Sequence, residues 1–109
     1  MKIIFLDIDG VLVIPSSWNK DFPVTSPKQA SVECVNNLKR ILTETDAVIV
    51  VSSSWRFCCP FPETLVEMGI FEGFVFDCLS TKRFSTREAE IQNWLSGGDV
   101  KPENFIIID

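Results

Sequence analysis

Four short apolar runs divide this chain, and their continuity constrains its fold more than any other feature. They cover residues 2–6, 47–51, 73–78 and 105–108. Runs that are apolar along nearly their whole length are typical of strands buried on both faces, as in a parallel sheet. Because helical segments separate the runs, we predict an α/β fold in which a parallel sheet lies between two layers of helices.

The first connection contains a loop and a helix. The Pro-rich residues 15–27 predict a loop or flap. Ser26 stands before Pro27, which is typical of an N-cap and a first helical turn, and apolar residues follow at helical spacing. We therefore predict an amphipathic helix that begins at this Ser-Pro pair and ends near Thr45.

Two further helices are predicted in the second half of the chain. Residues 62–68 predict a short helix that ends at Gly69. Ser85 and Glu88 have the spacing of a capping box for the next helix. This helix is predicted to carry Ile91, Trp94 and Leu95 and to end at Gly97-Gly98.

Composition limits the chemistry that is available. The chain has 109 residues, a formal charge of −5 and no histidine, and its length predicts a single domain over residues 1–109. The absence of histidine excludes Ser-His-Asp and Cys-His catalysis and every histidine metal site. The basic residues do not cluster, so there is no electrostatic footprint for duplex nucleic acid, whereas contacts with single strands or ends remain open. Catalysis must use carboxylates, hydroxyls, thiols or basic side chains.

The first apolar run cannot serve as a signal peptide or a membrane span, because two aspartates interrupt it. We therefore expect a cytoplasmic protein with no membrane contact, in which cysteines stay reduced. The four cysteines are Cys34, Cys58, Cys59 and Cys78. They include no Cys-x-x-Cys pair, so we expect small buried hydrophobic side chains rather than a zinc site.

Acids and hydroxyls follow three of the apolar runs. Asp7 and Asp9 follow the first, Ser52 and Ser53 the second, and Asp109 the fourth. In parallel α/β sheets, ligands bind at the carboxyl ends of the strands. Two carboxylates one residue apart on an extended backbone point the same way, which implies a divalent cation or a shared proton. Mg²⁺ suits oxygen ligands and accompanies phosphate.

These residues resemble a known family. The stretch Phe5-Leu6-Asp7-Ile8-Asp9-Gly10-Val11-Leu12 is similar to the first signature of the haloacid dehalogenase-like (HAD) superfamily, and Val50-Val51-Ser52-Ser53-Ser54-Trp55-Arg56 to the second. With Arg87-x-x-Glu90-Ile91-x-x-Trp94-Leu95 and Phe105-Ile106-Ile107-Ile108-Asp109, they resemble the HAD-like domain of the Swiss Army Knife RNA repair type. The resemblance covers essentially the whole chain. It implies a three-layer Rossmann-like parallel sheet whose last strand lies at or near the C-terminus.

The resemblance also implies catalytic roles. Asp7 would attack phosphorus to form an aspartyl phosphate, and Asp9 would act as general acid and then general base. Ser52, with Ser53 as the alternate, would donate a hydrogen bond to the phosphoryl oxygens. Arg87 matches the family position of the basic residue that offsets charge on the transferred group.

Other residues are expected to contact the substrate. Lys82 and Arg83 precede Arg87 in the sequence and could reach the same space. Arg56 could bind phosphate from the second loop, or it could form a salt bridge instead. Gly10 lets the chain turn after the aspartates. Together with the two serines, Gly10, Arg56 and Lys82 complete the predicted substrate-binding set.

The predicted Mg²⁺ ligands are Asp7, Asp9 and Asp109. In the family, the fourth signature continues into further acidic residues, whereas this sequence stops at Asp109. We therefore expect a domain that lacks the C-terminal end of the usual core and whose last strand has an uncovered edge.

The connections between the signatures are too short for a cap domain, so the site is expected to be open to solvent. An open site favours a large substrate, such as an RNA or DNA end or a phosphoprotein. Trp55 and Trp94 are predicted to pack in the core rather than to stack on a substrate.

The favoured function is therefore that of a Mg²⁺-dependent phosphomonoesterase with an aspartyl-phosphate intermediate. Transfer of the phosphoryl group to an acceptor other than water is equally compatible with these residues. The alternative from another class is a catalytically weak module that binds phosphate or a partner. A receiver-like signalling domain is a weaker alternative, because receivers place the acceptor aspartate on a later strand than the metal-binding acids. The sequence does not fix the oligomeric state.

Overall fold

The computed structural model describes residues 1–81, 86–98 and 101–109, in which four parallel strands form one sheet. The strands are β1 (Lys2–Leu6), β2 (Val48–Val51), β3 (Val75–Cys78) and β4 (Asn104–Ile108). Their order across the sheet is β3-β2-β1-β4, so strand order reverses between β1 and β4. The predicted parallel α/β architecture is confirmed, and the reversal marks the edge at which such folds bind ligands.

Helices connect the strands within the described residues: α1 (Val32–Thr45), α2 (Glu63–Met68) and α3 (Arg87–Gly97). The same described residues also form three 3-10 turns, at Pro27–Gln29, Ser54–Phe57 and Glu72–Phe74. The second helix ends as predicted, because Gly69 adopts a left-handed conformation with φ 108° that favours glycine. The third strand is shorter than predicted, since residues 73 and 74 belong to the 3-10 turn before it.

Alternate side chains of β1 point to opposite faces of the sheet, and each face has its own core. Ile4 and Leu6 pack in a cluster with the buried residues of α1 and α2. Ile3 and Phe5 pack on the other face against Ile91 of α3. Each of these four strand residues is at most 2% exposed, which confirms that the first apolar run is covered on both faces.

The first helix begins later than predicted. Ser26 does cap a first turn that contains Pro27, and its Oγ accepts a hydrogen bond from Lys28 N, but this turn is the short 3-10 helix. The α-helix begins five residues further on, where Ser31 Oγ accepts a hydrogen bond from Cys34 N at 3.2 Å. Both serines are N-caps, and the sequence pattern does not show that the first caps a 3-10 turn and the second caps the α-helix.

The cap of α3 also differs from the prediction. Thr86 is the N-cap, and its Oγ1 accepts a hydrogen bond from Ala89 N at 3.1 Å. Arg87 is therefore the first residue of the helix and Glu88 is the second. A capping box needs the acidic residue at the third helical position, so Glu88 does not form one with Thr86. Ser85, the predicted cap, lies outside the described residues.

The predicted flap folds around one buried amide. Gln29 is 0% exposed, and its Nε2 donates to the carbonyl oxygens of Asn19 (2.8 Å), Phe22 (3.3 Å) and Pro23 (3.2 Å). Its Oε1 accepts a hydrogen bond from Asn19 N at 2.7 Å. A buried amide with satisfied donors and acceptor fixes the backbone around it, so this loop has a defined conformation.

The edge strand β4 carries exposed apolar side chains. Phe105, Ile106 and Ile107 are 44%, 53% and 43% exposed, although the strand pairs with β1 along its whole length. Within the described residues, no strand pairs with its other edge.

Candidate active site

The predicted acids and hydroxyls lie together at the carboxyl edge of the sheet. Asp7 N donates a hydrogen bond to Ile108 O at 2.9 Å, which ties the end of β1 to the end of β4. Ser52 N donates to Leu6 O at 2.9 Å, which ties the end of β2 to the same point. The backbone thus fixes three strand ends side by side, on either side of the reversal in strand order.

A tight turn follows the first aspartate. Ile8 O accepts hydrogen bonds from the N–H groups of Val11, Leu12 and Val13, at 3.1, 2.9 and 3.0 Å. Gly10 has φ 82°, a left-handed conformation that favours glycine. Its N–H donates to Val13 O at 2.8 Å, so this donor serves the turn. The geometry therefore gives Gly10 a role in the shape of the turn, and its substrate contact stays a prediction.

Asp7 is held at both carboxylate oxygens. Oδ1 accepts a hydrogen bond from Ile8 N at 2.8 Å, and Oδ2 accepts one from Arg87 Nη2 at 3.1 Å. The Asp7 side chain is 15% exposed. Charge-assisted hydrogen bonds to a largely buried carboxylate fix its orientation.

Arg87 connects the first and the last predicted acid. Besides Asp7, its guanidinium donates through Nη1 to Asp109 Oδ2 at 3.3 Å. The side chain comes from the first residue of α3, and it reaches across the ends of β1 and β4. Among the basic residues considered from the sequence, Arg87 is thus brought to the predicted site. Lys82 and Arg83 lie outside the described residues.

Asp9 has a partner that sequence reasoning missed. Trp55 Nε1 donates a hydrogen bond to Asp9 Oδ1 at 3.2 Å, and Trp55 is 3% exposed. The predicted packing role of Trp55 is confirmed, but its indole N–H also holds a site carboxylate. The general rule that a buried tryptophan finds an acceptor for its N–H is the one signal that could have suggested this contact.

Trp94, the second tryptophan for which packing is predicted, contacts aromatic rings rather than the predicted site residues. Trp94 makes T-shaped contacts with Phe5 and Phe76, with ring centroids 5.6 and 6.3 Å apart. Its Nε1 donates to Asp77 Oδ2 at 2.7 Å. The prediction that Trp94 packs rather than stacks on a substrate agrees with these contacts.

The two candidate serines differ in how their hydroxyls are used. Ser53 Oγ accepts a hydrogen bond from Trp55 N at 3.1 Å and caps the 3-10 turn. Ser52 Oγ is buried and has no hydrogen-bond partner within the described part of the chain, whereas Ser53 Oγ already accepts one hydrogen bond. A buried hydroxyl without any partner is costly, so Ser52 is the stronger candidate for a ligand contact.

Arg56 does not face a substrate. Its side chain is 2% exposed, Nε donates to Ser80 O at 3.1 Å, and Nη1 donates to the carbonyl oxygens of Ser52 and Ser53, both at 3.0 Å. Nη2 pairs with Glu90 Oε2. These bonds use four N–H donors, so the salt bridge considered from the sequence is the arrangement found. The predicted phosphate contact is corrected: Arg56 holds the loop together.

The three predicted Mg²⁺ ligands do not converge on one point. No group of three His, Cys, Asp or Glu side chains in residues 1–81, 86–98 and 101–109 has the arrangement of a metal site. Arg87 lies between Asp7 and Asp109, and Asp9 faces the indole of Trp55. The donor set still fits Mg²⁺, because this ion binds one or two carboxylates and takes its other ligands from water and phosphate.

Comparisons with known proteins identify the family of the chain. A family model described as the HAD domain in Swiss Army Knife RNA repair proteins matches residues 3–109. No curated protein and no solved structure shows significant similarity to the chain.

No helix within the described ranges is long and apolar enough to cross a membrane.

Proposed function

Because the chain belongs to the family of HAD domains in Swiss Army Knife RNA repair proteins, we propose that it is a phosphomonoesterase acting through Asp7 and Asp9. Membership of this family supports a hydrolase role for the chain, without specifying the reaction. The observation that carries the proposal is the contact between Asp7 Oδ2 and Arg87 Nη2 at 3.1 Å. A fixed carboxylate nucleophile beside a fixed cation is the arrangement that phosphoryl transfer requires.

In the first step, an oxygen of Asp7 attacks phosphorus and the bond from phosphorus to the ester oxygen breaks. Asp9 donates a proton to the leaving oxygen, so the products are an aspartyl phosphate and a free alcohol. Asp7 needs no base to activate it as a nucleophile, because a carboxylate is ionised at neutral pH. This suits a chain that has no histidine.

In the second step, Asp9 accepts a proton from water, the water oxygen attacks phosphorus, and Asp7 leaves as a carboxylate with release of inorganic phosphate. Arg87 offsets the negative charge on the transferred group, and Ser52 Oγ donates a hydrogen bond to one of its oxygens. Asp7 and Asp9, with Asp109, are the residues that would hold Mg²⁺, which would supply further positive charge at the transferred group.

We further propose that the substrate is a phosphorylated nucleic-acid end. The supporting observation is the description of the family, which concerns RNA repair proteins. A single-stranded end suits a chain with a formal charge of −5, since recognition then depends on the phosphate and the terminal nucleotide rather than on a long basic surface.

The test is hydrolysis of p-nitrophenyl phosphate and of oligonucleotides with 5′ or 3′ phosphates, each with and without Mg²⁺. The wild type is compared with Asp7→Asn and with Asp46→Asn as the matched control. Asp46 ends α1 in a left-handed conformation that asparagine tolerates, and it is not one of the predicted site residues. Turnover that needs Mg²⁺ and is lost in Asp7→Asn alone supports the proposal. Turnover retained in Asp7→Asn contradicts it.

A second candidate function is phosphate binding without turnover. It is favoured by the placement of the acids, because Arg87 and Trp55 hold all three predicted Mg²⁺ ligands and these do not converge within the described residues. Inorganic phosphate that binds to the wild type, with no hydrolysis of any of the substrates above, would favour this function. Loss of binding in Arg87→Met would identify the same site.

A further inference from the structure

Two adjacent cysteines lie on the loop that follows the 3-10 turn Ser54–Phe57. Cys58 is exposed, Cys59 is partly buried, and their Sγ atoms are 3.6 Å apart. The other two cysteines, Cys34 and Cys78, are each partly buried. The loop therefore presents two sulfurs side by side at the surface.

The backbone of this pair is fixed by a single carbonyl. Trp55 O accepts hydrogen bonds from Cys58 N at 3.0 Å and from Cys59 N at 2.8 Å. Each thiol also has a carbonyl oxygen within reach: Trp55 O lies 3.5 Å from Cys58 Sγ, and Thr25 O lies 3.8 Å from Cys59 Sγ. The two sulfurs are also within hydrogen-bond distance of each other, so each thiol has either a carbonyl oxygen or the partner sulfur as an acceptor.

The separation of 3.6 Å is a non-bonded contact between two reduced thiols, and it is close to the distance that a shared ligand atom spans. A central atom with bonds to sulfur of about 2.3 Å and an angle between them of about 90–110° spans about 3.3–3.8 Å between the two sulfurs. Chelation therefore needs almost no movement of either side chain.

We propose that Cys58 and Cys59 form a chelating dithiol site whose ligand class is trivalent arsenic compounds. Such a compound with one organic group needs two sulfurs and no further protein ligand. A four-coordinate zinc ion would need more, and no third His, Cys, Asp or Glu joins the pair among the described residues. The pair thus fits a ligand that two sulfurs satisfy.

The reaction with phenylarsine oxide balances without any oxidation. Two thiol protons and the arsenic-bound oxygen leave as water, two As–S bonds form, and arsenic remains trivalent. Burial raises the pKa of the Cys59 thiol, so this sulfur carries its proton at neutral pH. The released water accounts for that proton and for the proton of Cys58.

The test is titration of the reduced protein with phenylarsine oxide, followed by intact mass and by release with dithiols or monothiols. We expect one adduct per chain that 2,3-dimercaptopropanol removes and that a monothiol at the same thiol concentration does not. Cys58→Ser and Cys59→Ser should each bind about 100-fold more weakly, because the second sulfur then no longer reacts within the same molecule. Cys34→Ser, which keeps the pair, should bind like the wild type.

Two results would overturn the proposal. One is an adduct that both single variants retain with unchanged affinity, which would place the arsenic elsewhere. The other is release by monothiols as readily as by dithiols, which would show attachment through one sulfur. Thermal unfolding of each variant confirms that loss of binding does not reflect loss of the fold, and a variant that fails to fold is replaced by the corresponding Cys→Ala change.

Discussion

Arg56 connects the end of β2 to the first turns of α3 by pairing with Glu90, and the two side chains are 2% and 15% exposed. The same guanidinium binds the carbonyl oxygens of Ser52 and Ser53. Glu90 lies three residues after Arg87, on the same face of the helix. The buried ion pair therefore positions the arginine that contacts Asp7 relative to the hydroxyl of Ser52.

Removal of one partner from this pair should destabilise the fold strongly. Glu90→Leu leaves the Arg56 guanidinium buried without its counter-charge, and we expect a loss of about 3–5 kcal/mol in the free energy of unfolding. Chemical denaturation measures it. The matched control is Glu44→Leu, which removes an exposed pair with Arg40 and should cost about 0.5 kcal/mol or less. Equal losses in the two variants would show that burial does not set the value of the Arg56 pair.

Arg87 should matter for turnover more than for stability. Its side chain is 28% exposed and interacts with two carboxylates at the carboxyl edge of the sheet. If the proposed hydrolysis holds, Arg87→Met should lower kcat about 100-fold or more, because a preorganised cation at the transferred group is lost. Steady-state kinetics with p-nitrophenyl phosphate measures the change. Arg40→Met, on the exposed face of α1, is the control, and a similar decrease there would contradict the assignment.

The sequence predicts the sheet and the position of the site because both depend on local patterns. The apolar runs define the strands, and Asp7 and Asp9 follow the first of them. Long-range contacts leave no such pattern. Trp55 and Asp9 are 46 residues apart, and although a buried indole N–H is expected to find an acceptor, no local pattern identifies Asp9 as that acceptor. Arg56 lies in a polar stretch just after three serines and a tryptophan, although it is among the most buried side chains of the site.

Gln29 illustrates the same limit within the fold. The sequence places this residue near the start of the predicted first helix and gives no sign of its burial, whereas the amide is fully buried because the preceding loop folds around it. The helix caps are an intermediate case. Ser26 and Ser31 are both of the residue type that caps helices, and the choice between a 3-10 turn and an α-helix depends on the packing of the residues that follow.

Loss of the indole N–H of Trp55 should affect Asp9 specifically. Trp55→Phe keeps most of the buried apolar surface and removes the donor to Asp9 Oδ1. If Asp9 is the general acid, its orientation changes, so we expect a lower kcat with p-nitrophenyl phosphate. Trp94→Phe is the matched control, because it removes a similar hydrogen bond to Asp77. The prediction fails when Trp55→Phe keeps the kcat of the wild type.

Ser52 and Ser53 should respond in opposite ways to the same substitution. Ser53→Ala removes the N-cap of the 3-10 turn, and we expect a loss of about 1 kcal/mol in unfolding free energy with activity retained in the folded fraction. Ser52→Ala removes a buried hydroxyl that has no partner in the described residues, so stability should stay the same or rise slightly. If this hydroxyl binds the phosphoryl group, Ser52→Ala should also raise KM or lower kcat.

Thermal unfolding and steady-state kinetics of the two serine variants, measured side by side, separate a structural hydroxyl from a functional one. A destabilised Ser52→Ala protein with unchanged kinetics would reverse the assignment, because it would mean that Ser52 Oγ serves the fold.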